Sequence, residues 1–468
     1  MKVINRNHSA ILLSSLAGLT MPAAAQTSAL LEEVVITAQK REQSMQDVGV
    51  AVTAFSGKQL EALGFKDSTD ISLMTPGVHV SGALGGQLQT FTIRGVAQSD
   101  FIEIAESPNA VYIDDAYVGF MSGARFAMFD LDRVEVLKGP QGTLFGRNAT
   151  GGLVHYLSQR PTSETEGYID LTYGSYDQLR VEAALGGALS DGVRGRIAVY
   201  SNQYDGVKEN DFRGRDDEGN DDSQAFRGQL EFDLGESTTL LLKADIGRSE
   251  VSTSPYYSVT TYTETDSSGT IIDTIEQPAG TPDFFGGVTE DPERRSVTQD
   301  FSKDDLNTYD SDAFTAILTM DLGKGTTLTS VTDYREYEKE TYFDNEGQSY
   351  SMLNFFSQAE NEQLSQEIRL NGSTDGMRWT SGLYYLDYET NVDTGTFVDE
   401  FNVLGLPATW MQNTPDLETT SLSIFGQLEM DLSEQLTFIA GARVIDEEKD
   451  YSHSVTWYDY NGNNNSPG

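Results

Sequence analysis

Cysteine is absent from this 468-residue chain, so neither disulfides nor thiolate metal sites can hold it together. Histidine is nearly absent. His8, His79, His155 and His453 are scattered without metal-ligand spacing, and each reads as a structural residue rather than a ligand. Proline is scarce at 12 residues. Cations are few: 31 Lys and Arg face 73 Asp and Glu, and the resulting formal charge of −42 has the wrong sign for a nucleic-acid partner. No run of about eighteen apolar residues is present to form a spanning helix. The motifs G-x-S-x-G and H-E-x-x-H are missing, and paired carboxylates arise by chance in so acidic a chain. Neither an enzyme nor a cofactor or metal site is indicated.

What is present begins with an export signal over residues 1–25. Lys2 and Arg6 precede a short apolar centre, and Ala23-Ala24-Ala25 offers a cleavage site. Residues 26–46 are a polar segment with one β-prone patch, Glu33 to Ala38. From 47 to 161 the pattern is mixed α/β. Strands are expected at 48–55, 90–96, 110–119 (hinged at Asp114-Asp115) and 133–137. A helix opening at a Ser56/Gln59 capping box runs through Leu63, and further short helices are expected at 67–74 and 123–129.

From 162 to 468 the character changes to runs of alternating hydrophobicity. Leu422, Ile424, Leu428 and Met430 oppose Ser423, Gln427, Glu429 and Asp431, and Phe226, Leu230 and Phe232 oppose Arg227, Gln229 and Glu231. Period two with charge on one side means one face in an apolar medium and one in water. A soluble β-sandwich would alternate too. The connections decide: short turns near 188–192, 234–238, 322–326, 371–377 and 432–435 alternate with long acidic loops near 204–223, 248–311, 338–361 and 389–418. An up-and-down membrane barrel sorts its loops this way, and closure leaves no unpaired edge in lipid. About eleven such strands are expected, an odd number, which reads as a barrel lacking its later strands.

The stretch "RVEVLKGPQGTLFGRNATGG" (133–152) raises the thought of a phosphate cradle. Gly142 to Gly146 is one residue short of a P-loop, and Arg147-Asn148 stands where Lys-Ser/Thr is needed. Its glycines, Gly139, Gly142, Gly146, Gly151 and Gly152, are better explained by turns and close packing.

Residues 33–38, "SLMTPGVHV", "TIRGV", "VYIDDAYVG", "LDRVEVLKGPQGTLFGRNATGG" and "EQLSQEIRLNG" occur in order, and together they resemble a TonB-dependent receptor. Gly49 and "LVHYLSQRPT" depart from the family pattern. The resemblance implies a mainly β fold, an N-terminal α/β plug followed by an antiparallel transmembrane barrel of about 22 strands, roughly half of them present. It also implies active uptake of a scarce solute across the bacterial outer membrane, a ferric siderophore or similar iron chelate first, with an oligosaccharide, a vitamin or a passive pore as alternatives. TonB and its inner-membrane motor would capture the exposed box Glu33, Val34, Val35, Ile36, Thr37 and Ala38 by strand addition. Outer-membrane lipid and lipopolysaccharide would surround a monomer. The plug would be sealed through Arg94, Gly95, Arg133, Glu135, Lys138, Gly139, Arg147, Gly151 and Gly152, with its cations facing wall carboxylates such as Glu367 and Glu429. Substrate contacts would come from Gln87, Gln98, Tyr256, Tyr257, Phe284, Phe285, Tyr342, Phe355 and Trp410.

Overall fold

The structure is a computed structural model that describes residues 35–83, 88–98, 100, 102–120, 123–212, 217–252, 259, 261–282, 296–298, 306–344, 353–397 and 410–459. Glu33, Val34, Gln87, Tyr256, Tyr257, Phe284 and Phe285 lie outside the described residues.

The N-terminal part is built from short elements whose boundaries are set by local hydrogen bonding. β1 (Val35–Ile36) pairs with β2 (Gln43–Ser44). β3 (Ala51–Ser56) runs into α1 (Gly57–Leu63). The Ser56 hydroxyl accepts from Gln59 N–H while the Gln59 side chain accepts from Ser56 N–H, so the expected capping box is present. α2 (Ser68–Leu73) starts at a second such box, Asp67 with Asp70. β4 (Val78–Ala83) and β5 (Leu88–Ile93) form a hairpin. β5 stops short of the expected 96 because Arg94 and Gly95 take φ of 52° and 80° in a tight turn closed between Ile93 and Val96. β6 (Asn109–Ile113) and β7 (Ala116–Val118) flank the Asp114-Asp115 hinge, where φ is 49° and 69°. β8 (Leu131–Lys138), the short α3 (Gly142–Phe145) and β9 (Gly152–Ser158) complete a five-stranded sheet of order β3-β8-β9-β6-β7. Residues 123–129 do not form the expected helix. They make isolated turns and spend their side chains outward: Arg125 stacks on Tyr309, and Phe126 fills the space a Cβ at Gly247 would need.

The rest is one antiparallel meander of eleven long strands. They are β10 (Glu166–Tyr173), β11 (Leu179–Ser190), β12 (Val193–Tyr204), β14 (Asp221–Asp233), β15 (Thr238–Ser252), β19 (Leu306–Gly323), β20 (Thr326–Asp344), β21 (Asn354–Thr374), β22 (Met377–Phe397), β23 (Trp410–Ser433) and β24 (Leu436–Tyr458). Small strands sit in the long connections: β13 (Glu209–Asn210) pairs with β18 (Ser296–Val297), and β16 (Thr261–Thr265) with β17 (Ile271–Glu276). Strand number and loop sorting match the alternation in the sequence. The wall wraps the N-terminal domain, which touches strands from β11 to β24. A continuous core joins Tyr112, Phe145 and Tyr156 of the inner domain to Tyr309, Tyr337, Leu386 and Phe425 of the wall.

The outward face of the wall changes character at one level. Near the short turns it is apolar, with Leu242, Phe314, Leu364, Ile368, Leu383, Leu422, Ile424 and Val444 exposed. Above them comes a row of directly opposed acids on adjacent strands: Asp312, Glu336, Glu362, Glu389, Glu418 and Asp450. Like charges in register repel, so such a row is tolerable only in water, and it marks the upper limit of the apolar band. Arg248 pairs with Asp312, and Tyr334 donates to Glu362 at 2.9 Å, which relieves part of that repulsion. In bilayers Ile424→Arg should destabilise the wall by about 2–4 kcal/mol, and Glu418→Arg should cost nothing measurable. Denaturant titration of both variants checks this; equal costs would place the band elsewhere.

Candidate functional site

The site is the seam between the inner domain and the wall. Its charge pattern follows from placing scarce cations where they are least exposed. In the body of the inner domain, the wall supplies most of the buried cations and the domain most of the buried carboxylates. Asp130 receives a two-pronged contact from Arg196, 2.8 and 2.5 Å, and the Arg227 guanidinium donates to Phe129 O at 2.8 Å while covering the Phe129 ring. The hinge acids split between two strands: Asp114 pairs with Lys243 and Asp115 with Arg369, the latter at 2.7 Å. Burial alone would raise the pKa of both, but Lys243 and Arg227 at one and Arg369 and Lys40 at the other outweigh it, holding both well below the usual carboxylate range. Higher up, Glu103 pairs with Lys339, both fully buried, and Glu106 is shared by Arg147 and Lys449. A neutral clasp adds to these: Gln363 donates to Tyr117 O and accepts from Gly119 N–H, at 2.6 and 2.8 Å.

The expected seal therefore has its sign largely reversed. Arg133 pairs within the domain, with Asp132 and Glu135, because Glu135 lies two residues on along the same strand face. Lys138 donates to Thr53 Oγ1 and Pro76 O, also inside the domain. Arg94 is exposed and makes no ion pair among the described residues. Of the four expected cations only Arg147 reaches the wall, where Glu447 stands 3.7 Å away. The glycines act in packing: Gly139 N–H donates to Gly151 O, and a Cβ at Gly151 would lie 2.3 Å from Asn109 Oδ1. His155 is fully buried and accepts from Asp115 N–H; burial lowers its pKa, so it is a neutral structural residue.

The wall carboxylates Glu367 and Glu429 are at the seam, but their partners are residues that sequence reasoning passed over. Lys40 reaches Glu367 at 3.2 Å, with its ammonium 4.8 Å from the ring centres of Tyr112 and Phe145. Arg41 reaches Glu429 at 2.5 Å. The segment before them is not the exposed run expected. Ile36 and Ala38 are buried, and Thr37 donates through N–H and Oγ1 to the buried Glu135 at 2.8 and 3.1 Å. A Thr37–Lys40 turn, with Lys40 at φ 58°, aims the two cations at the wall. The missed cations could have been found as the polar positions immediately following the β-prone patch.

Of the aromatic residues considered for substrate contact, Tyr342 donates to Glu340 on the outward strand face, Trp410 packs against Tyr458 with tilted rings whose centres are 4.6 Å apart, and Phe355 lies opposite Phe343 near the top of the wall. Gln98 braces loop 98–107, donating to Glu106 O and accepting from Asp100 N–H.

Two buried pairs should respond differently to the loss of one partner. Lys339→Met strands Glu103 and should cost about 3–5 kcal/mol, whereas Lys40→Met leaves Glu367 with Arg369 and should cost well under that. Chemical denaturation of the two variants tests the order. Glu106 is held below the usual carboxylate range because Arg147 and Lys449 outweigh its burial. Its contribution is present above the ordinary pKa and is lost as pH falls through the depressed one, so protease cleavage next to Glu106 should be unchanged from about pH 8 to 5 and rise only in stronger acid.

This arrangement matches known proteins. The TonB-dependent Receptor Plug Domain family matches residues 44–153, and the TonB dependent receptor-like, beta-barrel family matches residues 269–468. The pesticin receptor of Yersinia pestis is 32% identical over 211 residues, covering 44% of this chain and 31% of that protein. A vitamin B12 transporter of Vibrio vulnificus is 25% identical over 207 residues, 44% of this chain and 33% of its own length. The chain thus spans about a third of the length of the curated relatives it matches. Among solved structures, the ferric yersiniabactin uptake receptor from Yersinia pestis superposes with a TM-score of 0.69 at 18% identity, over 87% of this chain and 61% of that one. A plug ion-paired into a meandering β-wall, matched by both family profiles, makes this chain a member of the TonB-dependent receptors of the outer membrane.

Proposed function

We propose that this chain works in TonB-dependent active uptake of a scarce iron chelate, a ferric siderophore in the first place, across the outer membrane. In this reading residues 26–46 carry the TonB box and its linker, 47–161 form the plug and 162–468 form wall and external loops. TonB captures residues 33–38, and outer-membrane lipid bathes the apolar band of a single receptor copy.

The observation that carries the reading is how the box segment is fastened. Both wall carboxylates that hold it have a second cation on the wall: Arg369 lies 2.8 Å from Glu367, and Arg378 lies 3.2 Å from Glu429. When Lys40 and Arg41 leave, neither carboxylate is stranded in a low-dielectric site, which is the dominant cost of breaking a buried ion pair. Among the described residues the plug-body pair Lys339–Glu103 has no such reserve. The segment is thus built to detach before the plug body does. Val35 is half exposed at the edge of the two-residue β1, where a partner strand can add. A pull there draws Thr37 off Glu135 and leaves that buried carboxylate on β8 with Arg133 alone, loosening the central sheet. Glu429 lies four residues and Glu367 seven residues from the short turns at Ser433–Leu436 and Thr374–Met377, so the fastening sits on the half of the wall nearer the end from which TonB would pull.

The iron-chelate cargo is supported by the pesticin and ferric yersiniabactin receptors among the relatives, and the vitamin B12 transporter supports a corrinoid as second reading. The test is a deletion strain complemented with the full receptor gene, grown under iron limitation. Deletion should abolish growth on the cognate iron chelate. Val35→Pro should abolish uptake while leaving chelate binding to cells unchanged, because proline removes the edge N–H and prevents strand addition. Iron-independent behaviour of the deletion strain would sink the iron reading, and surviving uptake in Val35→Pro would sink the box.

A further inference from the structure

We propose that His155 is the positioning residue that passes the departure of the Lys40 segment on to the Asp114-Asp115 hinge, taking up a proton as Lys40 leaves. The proposal deepens the uptake reading above, in which that segment is drawn away from the plug.

The placement follows from strand register. His155 lies on β9, between β8 and β6, so its side chain shares a sheet face with one residue on each flank. Glu135 of β8 stands directly opposite on one side and Tyr112 of β6 on the other. Glu135 and His155 are both fully buried, and Cβ atoms of opposed residues on adjacent antiparallel strands lie about 5 Å apart. The Tyr112 ring meets the imidazole edge to face, 6.0 Å between centres, and its centre lies 4.8 Å from the Lys40 ammonium. The segment reaches the same place a second way, because Thr37 donates through N–H and Oγ1 to Glu135. On the hinge side, His155 Nε2 accepts from Asp115 N–H at 3.0 Å.

Charges approach this imidazole from every neighbouring element. The hinge brings Asp114 and Asp115, held by Lys243 and Arg369 of the wall. β8 brings Glu135 with Arg133, and the segment brings Lys40 with its wall partner Glu367. Because Nε2 accepts, the ring proton sits on Nδ1, and there it has no acceptor among the described residues. Asp115 Oδ1 is likewise buried without a donor. Buried polar atoms are almost always satisfied in native proteins, so the docked arrangement leaves this node short of partners. Burial first, and then the Lys40 charge, keep the imidazole neutral against Asp115, Glu135 and Asp114, which favour its charged form.

Departure of the segment reverses that balance. The opposing Lys40 charge goes, and Thr37 takes its donors off Glu135. A proton from solvent then adds at Nε2. An imidazolium has two N–H donors and no acceptor, so Asp115 N–H must give up its bond to the ring. The hinge loses that tie to β9 and keeps the bond from Asp114 N–H to Tyr156 O. The coupling is reciprocal: a proton on His155 favours departure of Lys40 by the same factor.

The test is NMR of the detergent-solubilised full receptor carrying labelled histidine, with the His155 signal identified by its loss in His155→Asn. Asparagine keeps an acceptor for Asp115 N–H but cannot take a charge. Lys40→Met, which imitates the departed cation, should raise the pH at which His155 titrates by about one unit. An unchanged titration overturns the proposal. A second measurement needs no change at Lys40: trypsin cleavage after Lys40 and Arg41, both largely buried while docked, in the unmodified receptor relative to His155→Asn. The docked state has the lower pKa, so its advantage is full at high pH and falls as pH drops through the higher pKa of the released state. The ratio of cleavage rates should therefore rise by up to about tenfold from pH 8 to 6. A purely structural His155 would leave the ratio the same at every pH, and that result overturns the proposal too. Neither measurement involves TonB, so failure here leaves the transport reading to stand or fall with Val35→Pro.

Discussion

A buried charge is tolerable only when a partner meets it, and this receptor has few cations to meet its many carboxylates. The fold depends on where they go. Arg196, Arg227, Lys243, Lys339 and Arg369 are all buried on the inner side of the wall, aimed at the plug. The plug answers with acids on turns: Asp130 at φ 47° and the Asp114-Asp115 hinge, where short polar side chains tolerate the left-handed backbone that aims them outward. Each pair fixes the plug against a different strand, and together they hold a small domain inside a wall whose inner face must be polar.

Against that background residues 36–41 carry the buried contacts in which the signs are exchanged. Their cations, Lys40 and Arg41, meet carboxylates that are already shared with Arg369 and Arg378. The same chemistry therefore gives two kinds of contact, one in which a buried carboxylate has a single cation and one in which it has two. α3 lies between the two ends of the plug. Phe145 covers Lys40 on one side of it, and Arg147, two residues later, holds Glu106 on the other. Gly146 between them has φ of 78° and lies against the Arg443 guanidinium, where a side chain could not fit. The glycine-rich stretch that first suggested a phosphate cradle is thus the crossing point between the outer loop and the box, packed too tightly to admit a ligand of its own.

Much of this was legible in the chain. The capping box at Ser56 and Gln59, the hinge at Asp114-Asp115, the strand count and the alternation of short and long connections all depend on neighbours in sequence. Alternation also placed Glu367 and Glu429 on the inner face. It could not say what they meet, because parity fixes a face while a partner needs register, strand height and the position of a separate domain. Arg133 shows the limit: a cation beside the wall on paper is claimed by Glu135 on its own strand. The turns at 123–129 show another, since Arg125, Phe126 and Phe129 gain more from Tyr309, Gly247 and Tyr200 than a short helix would give them.

By itself the sequence determined the class of the wall, the mixed nature of the plug and the exclusion of disulfides, because periodicity, caps and composition are local or global properties that need no coordinates. Only the tertiary structure decided that residues 36–41 are docked rather than free, that the wall supplies most of the cations at the seam, and that Lys40 and Arg41 meet wall carboxylates that already have a second cation. Those facts rest on residues hundreds of positions apart meeting in a low-dielectric seam, where a few ångströms separate a paired charge from an intolerable one.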